Sequence, residues 1–283
     1  LPVSLEASNN WVVSGRRTES GAPLLANDPH LGLGVPPLWY LAHLKSPTLE
    51  AVGATLPGVP GVVIGRNRDI AWGVTNVGAD VQDLYVLEEA RDGRGYRYRG
   101  EVRPYRVREE RIEVGDGEDV TLRVRETVYG PVVSGVVDAP GARPLALRWT
   151  SLEPEDRTIE AFLGVNRAGG WEEFNEALRL YKAPSQNFVY ADEEGNIGYV
   201  APGKFPVRRE GHSGLAPVPG DGRWDWEGSV PFESWPRALN PREGFVVTAN
   251  NKAVPDSYPY RISLEWAEPY RAERIRRMIL SAG

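Results

Sequence analysis

Short runs of β-branched and aromatic residues, separated by glycine and proline, dominate the hydrophobic pattern in the first part of this chain. Such runs, bounded by turn residues at intervals of about ten positions, are typical of short strands. The clearest examples are Trp11-Val12-Val13, Ala51-Val52-Gly53, Val62-Val63-Ile64 and Ile70-Ala71-Trp72. This part of the chain therefore predicts a sheet built from many short strands.

Between Glu88 and Arg148 the pattern changes to an alternation of charged and apolar residues. Such alternation places the apolar side chains on one face of a strand and the charged side chains on the other. The turn dipeptide Asp116-Gly117 fits the connection between two such strands. We therefore predict antiparallel hairpins with one solvated face over this range.

Helical spacing of apolar residues occurs in two later segments, Ile159 to Arg167 and Trp171 to Tyr181. A third helix is predicted from about Pro269 to the end of the chain. Because strands are in the majority and helices accompany them, the fold class is α+β. The sequence has no internal repeat and no serine-rich linker, so it predicts no domain boundary.

Composition excludes several classes of function. The 283 residues carry 33 basic and 39 acidic side chains, so a nucleic acid is not an expected partner. Without any cysteine, the chain has no thiolate nucleophile and no cysteine-based zinc site. No stretch approaches the run of about 20 apolar residues that a membrane-spanning helix needs, so no membrane span is predicted.

A series of motifs along the chain carries the strongest functional signal. It begins with Ser8-Asn9-Asn10-Trp11-Val12-Val13-Ser14-Gly15 and Leu24-Leu25-Ala26-Asn27-Asp28-Pro29-His30-Leu31. It continues through Gly58-Val59-Pro60-Gly61, Ala71-Trp72-Gly73-Val74-Thr75-Asn76, Asp80-Val81-Gln82-Asp83, Thr248-Ala249-Asn250-Asn251 and Pro269-Tyr270-Arg271. In this order and spacing, the motifs resemble the start of the β chain of the penicillin acylases, which are N-terminal nucleophile (Ntn) hydrolases.

The resemblance implies a fold and a domain organisation. The fold would be the Ntn-hydrolase αββα sandwich, with antiparallel sheets and flanking helices, and it would be incomplete in this chain. Residues 1–7 would be the remnant of a linker, and residues 8–283 would be the N-terminal portion of the β chain. The missing α chain of the same precursor is the expected partner. The residues before Ser8 imply an unprocessed or truncated form.

A serine hydroxyl needs a nearby base before it can attack a carbonyl group. The histidines could supply one, but the sequence has no Gly-x-Ser-x-Gly elbow to support that arrangement. We interpret His43 as a core histidine and His212 as a loop residue. In the family that the chain resembles, autoproteolysis frees the serine's α-amine, whose reference pKa of about 7.7 to 8.0 suits a base near neutral pH. The resemblance thus implies that Ser8 supplies both nucleophile and base.

The resemblance also implies the groups around Ser8. The backbone N–H of Asn76 and the side-chain amide of Asn250 would stabilise the oxyanion. Arg271 would orient Asn250 and add positive potential, and His30 would hydrogen-bond near the serine's amino group. The positions that match substrate contacts are mostly aliphatic, and they are Leu31, Ile64, Val74 and Gln186.

A group of oxygen ligands follows the predicted strand at Ile70-Ala71-Trp72. The carboxylates of Asp80 and Asp83 and the intervening carbonyl groups suit calcium. The resemblance implies a structural calcium ion held by Asp80, Gln82, Asp83 and Gly214. A plain acidic turn without a metal remains the alternative, and no organic cofactor is expected.

The function implied is hydrolysis of a linear amide by a penicillin amidase-type enzyme. The substrate would be the side-chain amide of penicillins or of related small N-acyl compounds, cleaved through an acyl-enzyme on the N-terminal serine. An acyl-homoserine lactone acylase is the alternative within the family, and the aliphatic pocket positions are compatible with it. A non-catalytic binding protein that keeps the fold is the alternative outside it. The resemblance also implies a periplasmic or secreted protein.

Overall fold

The computed structural model of the chain describes residues 7–32, 34–135 and 143–282. Its helices are α1 Thr158–Val165, α2 Trp171–Leu178 and α3 Tyr270–Ser281, with 3-10 turns at Gly15–Arg17, Thr150–Leu152 and Phe232–Ser234. Its strands are β1 Ala7–Val13, β2 Leu24–His30, β3 Tyr40–Ser46, β4 Leu49–Thr55, β5 Ile64–Arg66, β6 Ile70–Asn76, β7 Gln82–Val86, β8 Gly95–Tyr98, β9 Glu101–Pro104, β10 Arg106–Ile112, β11 Val120–Glu126, β12 Leu145–Trp149, β13 Gln186–Asp192, β14 Ile197–Val200, β15 Pro206–Val207, β16 Val218–Pro219, β17 Gly228–Ser229, β18 Arg237–Leu239 and β19 Phe245–Thr248. The α+β class predicted from the sequence is confirmed.

The chain divides into two compact units, each built from separate segments. Unit 1 comprises Leu1–Ala79, Glu155–Lys204 and Val230–Gly283, and unit 2 comprises Asp80–Pro154 and Phe205–Ser229. The sequence did not predict this division. Because the segments of the two units alternate along the chain, no single linker marks the boundary.

Two antiparallel sheets form the centre of unit 1. One has seven strands in the order β18-β14-β13-β6-β5-β4-β3, and the other has three in the order β19-β1-β2. Side chains alternate between the two faces of a strand. On β13, Val189 and Ala191 pack in one cluster with Val12 of β1, so this face of the larger sheet is covered by the smaller one.

Helices α1 and α2 cover the opposite face of β13. The ring of Phe188 lies 6.1 Å from that of Phe162 in α1, and the ring of Tyr190 lies 5.1 Å from that of Trp171 in α2. Gly198 on the neighbouring strand leaves room for Trp171, because a Cβ there would stand 2.4 Å from the indole ring. The indole ring of Trp171 thus packs against a glycine of the sheet, and this contact fixes the position of α2.

Helix α3 lies on the outer face of the three-stranded sheet. The guanidinium of Arg276 stands 5.2 Å from the ring centre of Phe245 in β19, and Arg271 reaches the backbone of β1. Unit 1 therefore has the layer order α3, three-stranded sheet, seven-stranded sheet, and α1 with α2. This is the αββα arrangement that the resemblance implies.

Unit 2 is a set of small sheets and hairpins. Strands β10 and β11 pair in antiparallel register, with the predicted Asp116-Gly117 turn between them. Strands β12, β7 and β16 form a second sheet around a tyrosine-rich core, in which Tyr85 stacks on Tyr129 with ring centres 3.8 Å apart. Burial raises the pKa of Tyr85 to about 12. The predicted antiparallel hairpins are confirmed. The apolar side chains Tyr96 and Tyr98 of the β8-β9 hairpin are buried, whereas β10 and β11 are largely exposed on both faces.

Two sequence-based interpretations need correction. Of the predicted strand Val62-Val63-Ile64, only Ile64 lies in a strand, because Val62 donates its backbone N–H to the side chain of Asn166 at 2.7 Å. His43 is not a core residue, since it lies on the edge strand β3 with 55% of its side chain exposed, beside Glu50 at 3.3 Å. Across the described ranges, no helix is long and apolar enough to cross a membrane.

Candidate active site

Ser8 lies in β1 of unit 1 and is almost buried, with 9% of its surface exposed. Its backbone N–H donates to Oδ1 of Asn250 at 2.9 Å. Its backbone carbonyl accepts from Nη1 of Arg271 at 2.5 Å. Ser8 is thus held through its main chain by two residues that are distant in sequence, and its side chain is left out of these contacts.

Asn250 follows β19 and has a left-handed backbone with φ of +62°. Asparagine adopts this region more readily than most residues, which makes it suited to a sharp turn after a strand. Its Oδ1 accepts from Arg271 at 3.0 Å as well as from Ser8, and its Nδ2 donates to the carbonyl of Asn76 at 2.9 Å. Because two N–H donors require an acceptor, the side-chain oxygen of Asn250 must face Ser8 and Arg271, and its amide nitrogen then faces Asn76.

Asn76 is the last residue of β6. Val77 donates its N–H to the carbonyl of Ser185, on the side of β13. Successive backbone N–H groups of a strand point to opposite edges, so the N–H of Asn76 points away from β13. Its carbonyl group, which points the same way, meets the amide of Asn250. The two predicted oxyanion donors therefore lie on the same side of β6.

Arg271 is the second residue of α3, and its guanidinium donates hydrogen bonds to three oxygen acceptors. These are the carbonyl of Ser8, Oδ1 of Asn9 at 2.8 Å and Oδ1 of Asn250. All three acceptors are neutral. Burial lowers the pKa of Arg271, but a guanidinium stays protonated in proteins. Arg271 therefore holds a full positive charge beside the backbone of Ser8.

His30 lies at the end of β2 and contacts Asp28 rather than Ser8. Its Nε2 is 2.7 Å from Oδ2 of Asp28 and 3.3 Å from Nδ2 of Asn9. The hydrogen bond from His30 is the main cause that lowers the pKa of Asp28. Since Asn9 also accepts from Arg271, His30 connects to the surroundings of Ser8 through Asn9. Neither Asn9 nor Asp28 was assigned a role from the sequence.

A buried amide network fixes the strands that carry these groups. The side chain of Asn27 in β2 accepts from the N–H of Val74 at 2.6 Å and donates to its carbonyl at 3.0 Å. Gly73 makes this approach possible, because a Cβ there would stand 2.8 Å from the Asn27 oxygen. The two-sided bond locks β2 against β6, so Ser8 and Asn76 are positioned by a rigid scaffold.

A cavity of about 540 Å³ opens beside Ser8, Asn76 and Asn250. All four positions predicted to contact substrate line it, namely Leu31, Ile64, Val74 and Gln186. The sequence missed the contribution of α1 and of the loop before β3. The further lining residues are Ala7, Pro29, Leu38, Trp39, Leu56, Val59, Val63, Asp156, Thr158, Ile159, Phe162, Tyr181, Ala183 and Pro184. The cavity is mostly apolar, as expected of a site for an acyl group.

The four predicted calcium ligands belong to unit 2 and line no part of this cavity. The side chain of Arg208 lies among them, and it donates to both Asp80 and Asp83. Within the described ranges, no group of three or more acidic, histidine or cysteine side chains could hold a metal ion.

Known proteins resemble this chain along nearly all of its length. The family model described as Penicillin amidase matches residues 2–283. The acyl-homoserine lactone acylase QuiP of Pseudomonas aeruginosa is 36% identical over 98% of this chain and 34% of its own length. The penicillin acylase 2 proenzyme of Pseudomonas sp. (strain SE83) is 35% identical over 97% of this chain and 35% of its own length.

A solved structure shares the fold. The thermostable penicillin G acylase from Alcaligenes faecalis superposes with a TM-score of 0.87 at 30% identity, over 96% of this chain and 49% of that one. The chain spans about a third of the length of the curated relatives it matches.

Proposed function

The chain belongs to the penicillin amidase family, and from that membership we propose that the protein containing it hydrolyses linear N-acyl amides with Ser8 as the nucleophile. The observation that carries this proposal is the convergence of Asn250 and Arg271 on the backbone of Ser8, at the wall of an apolar cavity. The sequence separation is 242 positions for the contact of Ser8 with Asn250 and 263 positions for its contact with Arg271.

Activation requires cleavage of the bond between Ala7 and Ser8. As long as this bond exists, the nitrogen of Ser8 is an amide and cannot accept a proton. Cleavage frees an α-amine with a reference pKa of about 7.7 to 8.0, which is suited to act as a base near neutral pH. The carbonyl oxygen of the Asn250 side chain already accepts from this nitrogen at 2.9 Å, so it would orient the free amine.

In the processed enzyme, the hydroxyl of Ser8 attacks the amide carbon while its α-amine takes the hydroxyl proton, directly or through a water. The amide nitrogen of Asn250 has two hydrogens, and only one is used by the carbonyl of Asn76. The second, together with the backbone N–H of Asn76, would stabilise the oxyanion. The amine product leaves with the proton, and water then hydrolyses the acyl ester of Ser8.

The cavity supports two substrate classes within the family. The first is the side-chain amide of penicillins and related N-acyl compounds. The second is an N-acyl-homoserine lactone, whose linear acyl chain would pack against the aliphatic side chains of Leu31, Ile64 and Val74. The same lining includes Trp39, Phe162 and Tyr181, which suit an aromatic acyl group. The relatives' names include both activities.

The proposal includes a partner and a location. The name of the penicillin acylase 2 proenzyme supports a precursor that is cut into two chains. We infer that the α chain of the same precursor is the partner of this chain and that the mature protein is periplasmic or secreted.

The test is the substitution Ser8→Ala in the full-length precursor, assayed with penicillin G and with a long-chain N-acyl-homoserine lactone. We expect turnover to fall by about 10⁴-fold or more, because nucleophile and base are lost together. The exposed Ser20 provides a control, and Ser20→Ala should leave turnover unchanged.

Intact mass spectrometry completes the test. The wild-type precursor should yield a chain that starts at Ser8, and the Ser8→Ala variant should remain uncut. Unchanged turnover in the Ser8→Ala variant would overturn the proposal and favour a protein that binds without this chemistry.

A further inference from the structure

The guanidinium of Arg208 lies at the centre of the acidic turn that begins β7. Its Nε donates to Oδ2 of Asp83 at 2.7 Å, and its Nη2 donates to Oδ1 of Asp80 at 3.0 Å. Nη2 also reaches the carbonyl oxygens of Asp80 at 3.2 Å and of Gln82 at 3.4 Å. Three of the four residues predicted to bind calcium therefore present their oxygens to one arginine.

The centre of the cluster is buried, and Asp80 lies at its partly exposed edge. The Arg208 side chain is 2% exposed, and those of Asp83 and Asp80 are 1% and 19% exposed. The indole N–H of Trp226 donates to the same oxygen of Asp83 at 2.5 Å. The guanidinium of Arg148 covers the ring of Trp226 at 4.1 Å. A buried charge pair is strong only when its donors and acceptors are satisfied. Oδ2 of Asp83 accepts two hydrogen bonds, whereas the buried Oδ1 of Asp83 has no hydrogen-bond partner among the described residues.

These residues do not fit a calcium ion. Calcium takes six to eight oxygen ligands at about 2.3–2.6 Å. One oxygen of each carboxylate and the carbonyl oxygens of Asp80 and Gln82 already accept from the guanidinium, whose positive charge repels a second cation. Gly214, the fourth predicted ligand, is packed against the same group, since a Cβ there would stand 3.3 Å from Nε of Arg208 and 2.9 Å from Oδ2 of Asp80.

We infer that Arg208 is the built-in cation of this turn and takes the structural place that a calcium ion would otherwise have. A guanidinium has five N–H donors in a fixed plane, and this one binds two carboxylates and two carbonyl groups at once. Arg208 follows β15, in the second chain segment of unit 2, whereas Asp80, Gln82 and Asp83 lie in the first. The arginine therefore fastens the two segments of unit 2 together without a metal.

The first test uses the wild-type protein. Thermal unfolding is measured after treatment with EDTA and again with added calcium chloride, and bound calcium is measured by equilibrium dialysis. A ligand stabilises the state that it binds, so a protein without a calcium site should change its Tm by less than about 1 °C between the two conditions. Stoichiometric calcium, or a Tm that falls in EDTA, would overturn the inference.

The second test changes the arginine. Arg208→Met keeps a long apolar stem but leaves the buried carboxylate of Asp83 and the partly exposed one of Asp80 without their cation, and we expect Tm to fall by about 10 °C. Added calcium should then raise the Tm of this variant, with water completing the ligand set. Arg208→Lys keeps a positive charge and should remain insensitive to calcium.

The neighbouring Arg209 provides the matched control. It is exposed and paired with Glu227, so Arg209→Met should leave Tm within about 2 °C of the wild type. An Arg208→Met variant as stable as the wild type, or equal calcium responses in the Met and Lys variants, would contradict the inference. If the Met variant does not fold, the Lys variant and the wild-type calcium measurement still decide the question.

Discussion

Arg271 in unit 1 and Arg208 in unit 2 each bind several oxygen acceptors, but the charges of those acceptors differ. Arg271 donates to one backbone carbonyl and two side-chain amides, all of them neutral. Arg208 donates to two carboxylates. The first arrangement leaves a positive charge without a carboxylate partner beside Ser8, where an oxyanion would form, and the second sets one positive charge against two carboxylates. In unit 1 the arginine thus supplies positive potential beside Ser8, whereas in unit 2 the arginine holds two chain segments together.

The largest expected effect on activity comes from Asn250→Asp, which gives Arg271 a carboxylate as its partner. Asn250→Asp keeps the acceptor for Ser8 and Arg271 and tolerates the left-handed backbone, but it removes the N–H donor and neutralises the arginine. We expect kcat/KM of the processed enzyme to fall by about 10³-fold. Tm should fall as well, because a carboxylate oxygen would face the carbonyl oxygen of Asn76 without a hydrogen between them.

Asn251 serves as the matched control for this change. Its Oδ1 accepts from the N–H of Ala249 at 3.0 Å, a role that an aspartate can also fill. Asn251→Asp should therefore keep its activity. If Asn250→Asp retains kcat/KM within about tenfold, its amide is not an oxyanion donor.

A smaller loss of activity is expected from Arg271→Met. In contrast to Arg208→Met, this substitution should affect activity more than thermal stability. Removing the charge weakens the oxyanion site and frees the side chain of Asn250, so kcat/KM should fall by about 10²-fold. Because the acceptors left behind are neutral, Tm should fall by only a few degrees. Exposed Arg274, one turn along α3, gives the control variant Arg274→Met. Equal effects on activity and Tm from both arginines would show that the two regions do not differ in this way.

The smallest effect concerns the hydrogen-bonded pair of Asp28 and His30 at the edge of the site. The pKa of Asp28 is lowered below its ordinary value of 3.8, so its contribution to stability is present above that pH and is lost as the pH falls through the lowered value. Because both side chains are more than a third exposed, the contribution should be below about 1 kcal/mol.

Thermal unfolding between pH 7 and pH 2 checks this last prediction. The Tm difference between wild type and Asp28→Asn should be small at neutral pH and should vanish on the acid side. Exposed Glu19, outside the pair, supplies the control Glu19→Gln. A difference that grows on acidification would have the wrong sign for a lowered carboxyl pKa.

Local sequence patterns predicted the helices well, except at their ends. The helix predicted to reach Tyr181 stops at Leu178, yet Tyr181 still packs on Phe188 with ring centres 5.6 Å apart. A residue in the turn after a helix can reach the same core as the helical face, and spacing alone cannot distinguish the two cases. The existence of each helix was therefore predictable, and its last turn was not.

Features that depend on distant pairing could not be predicted. Arg208 is 125 residues from Asp83, and no local pattern shows that they meet. His43 lies in an apolar run, but whether that strand is central or at an edge depends on which strands pair with it. By contrast, Asp28 and His30 are two positions apart on one strand, and the period of two places them on the same face. That signal was present in the sequence and could have identified the pair.

The long-range contacts of Ser8 also determine how early during synthesis the site can form. Ser8 is among the first of these residues to be made, yet its contacts with Asn250 and Arg271 span 242 and 263 positions. At about 5–20 residues per second, a ribosome adds Arg271 about 13 to 53 s after Ser8. Any reaction that needs the assembled site, including a cut before Ser8, must therefore wait until α3 has been translated and has emerged.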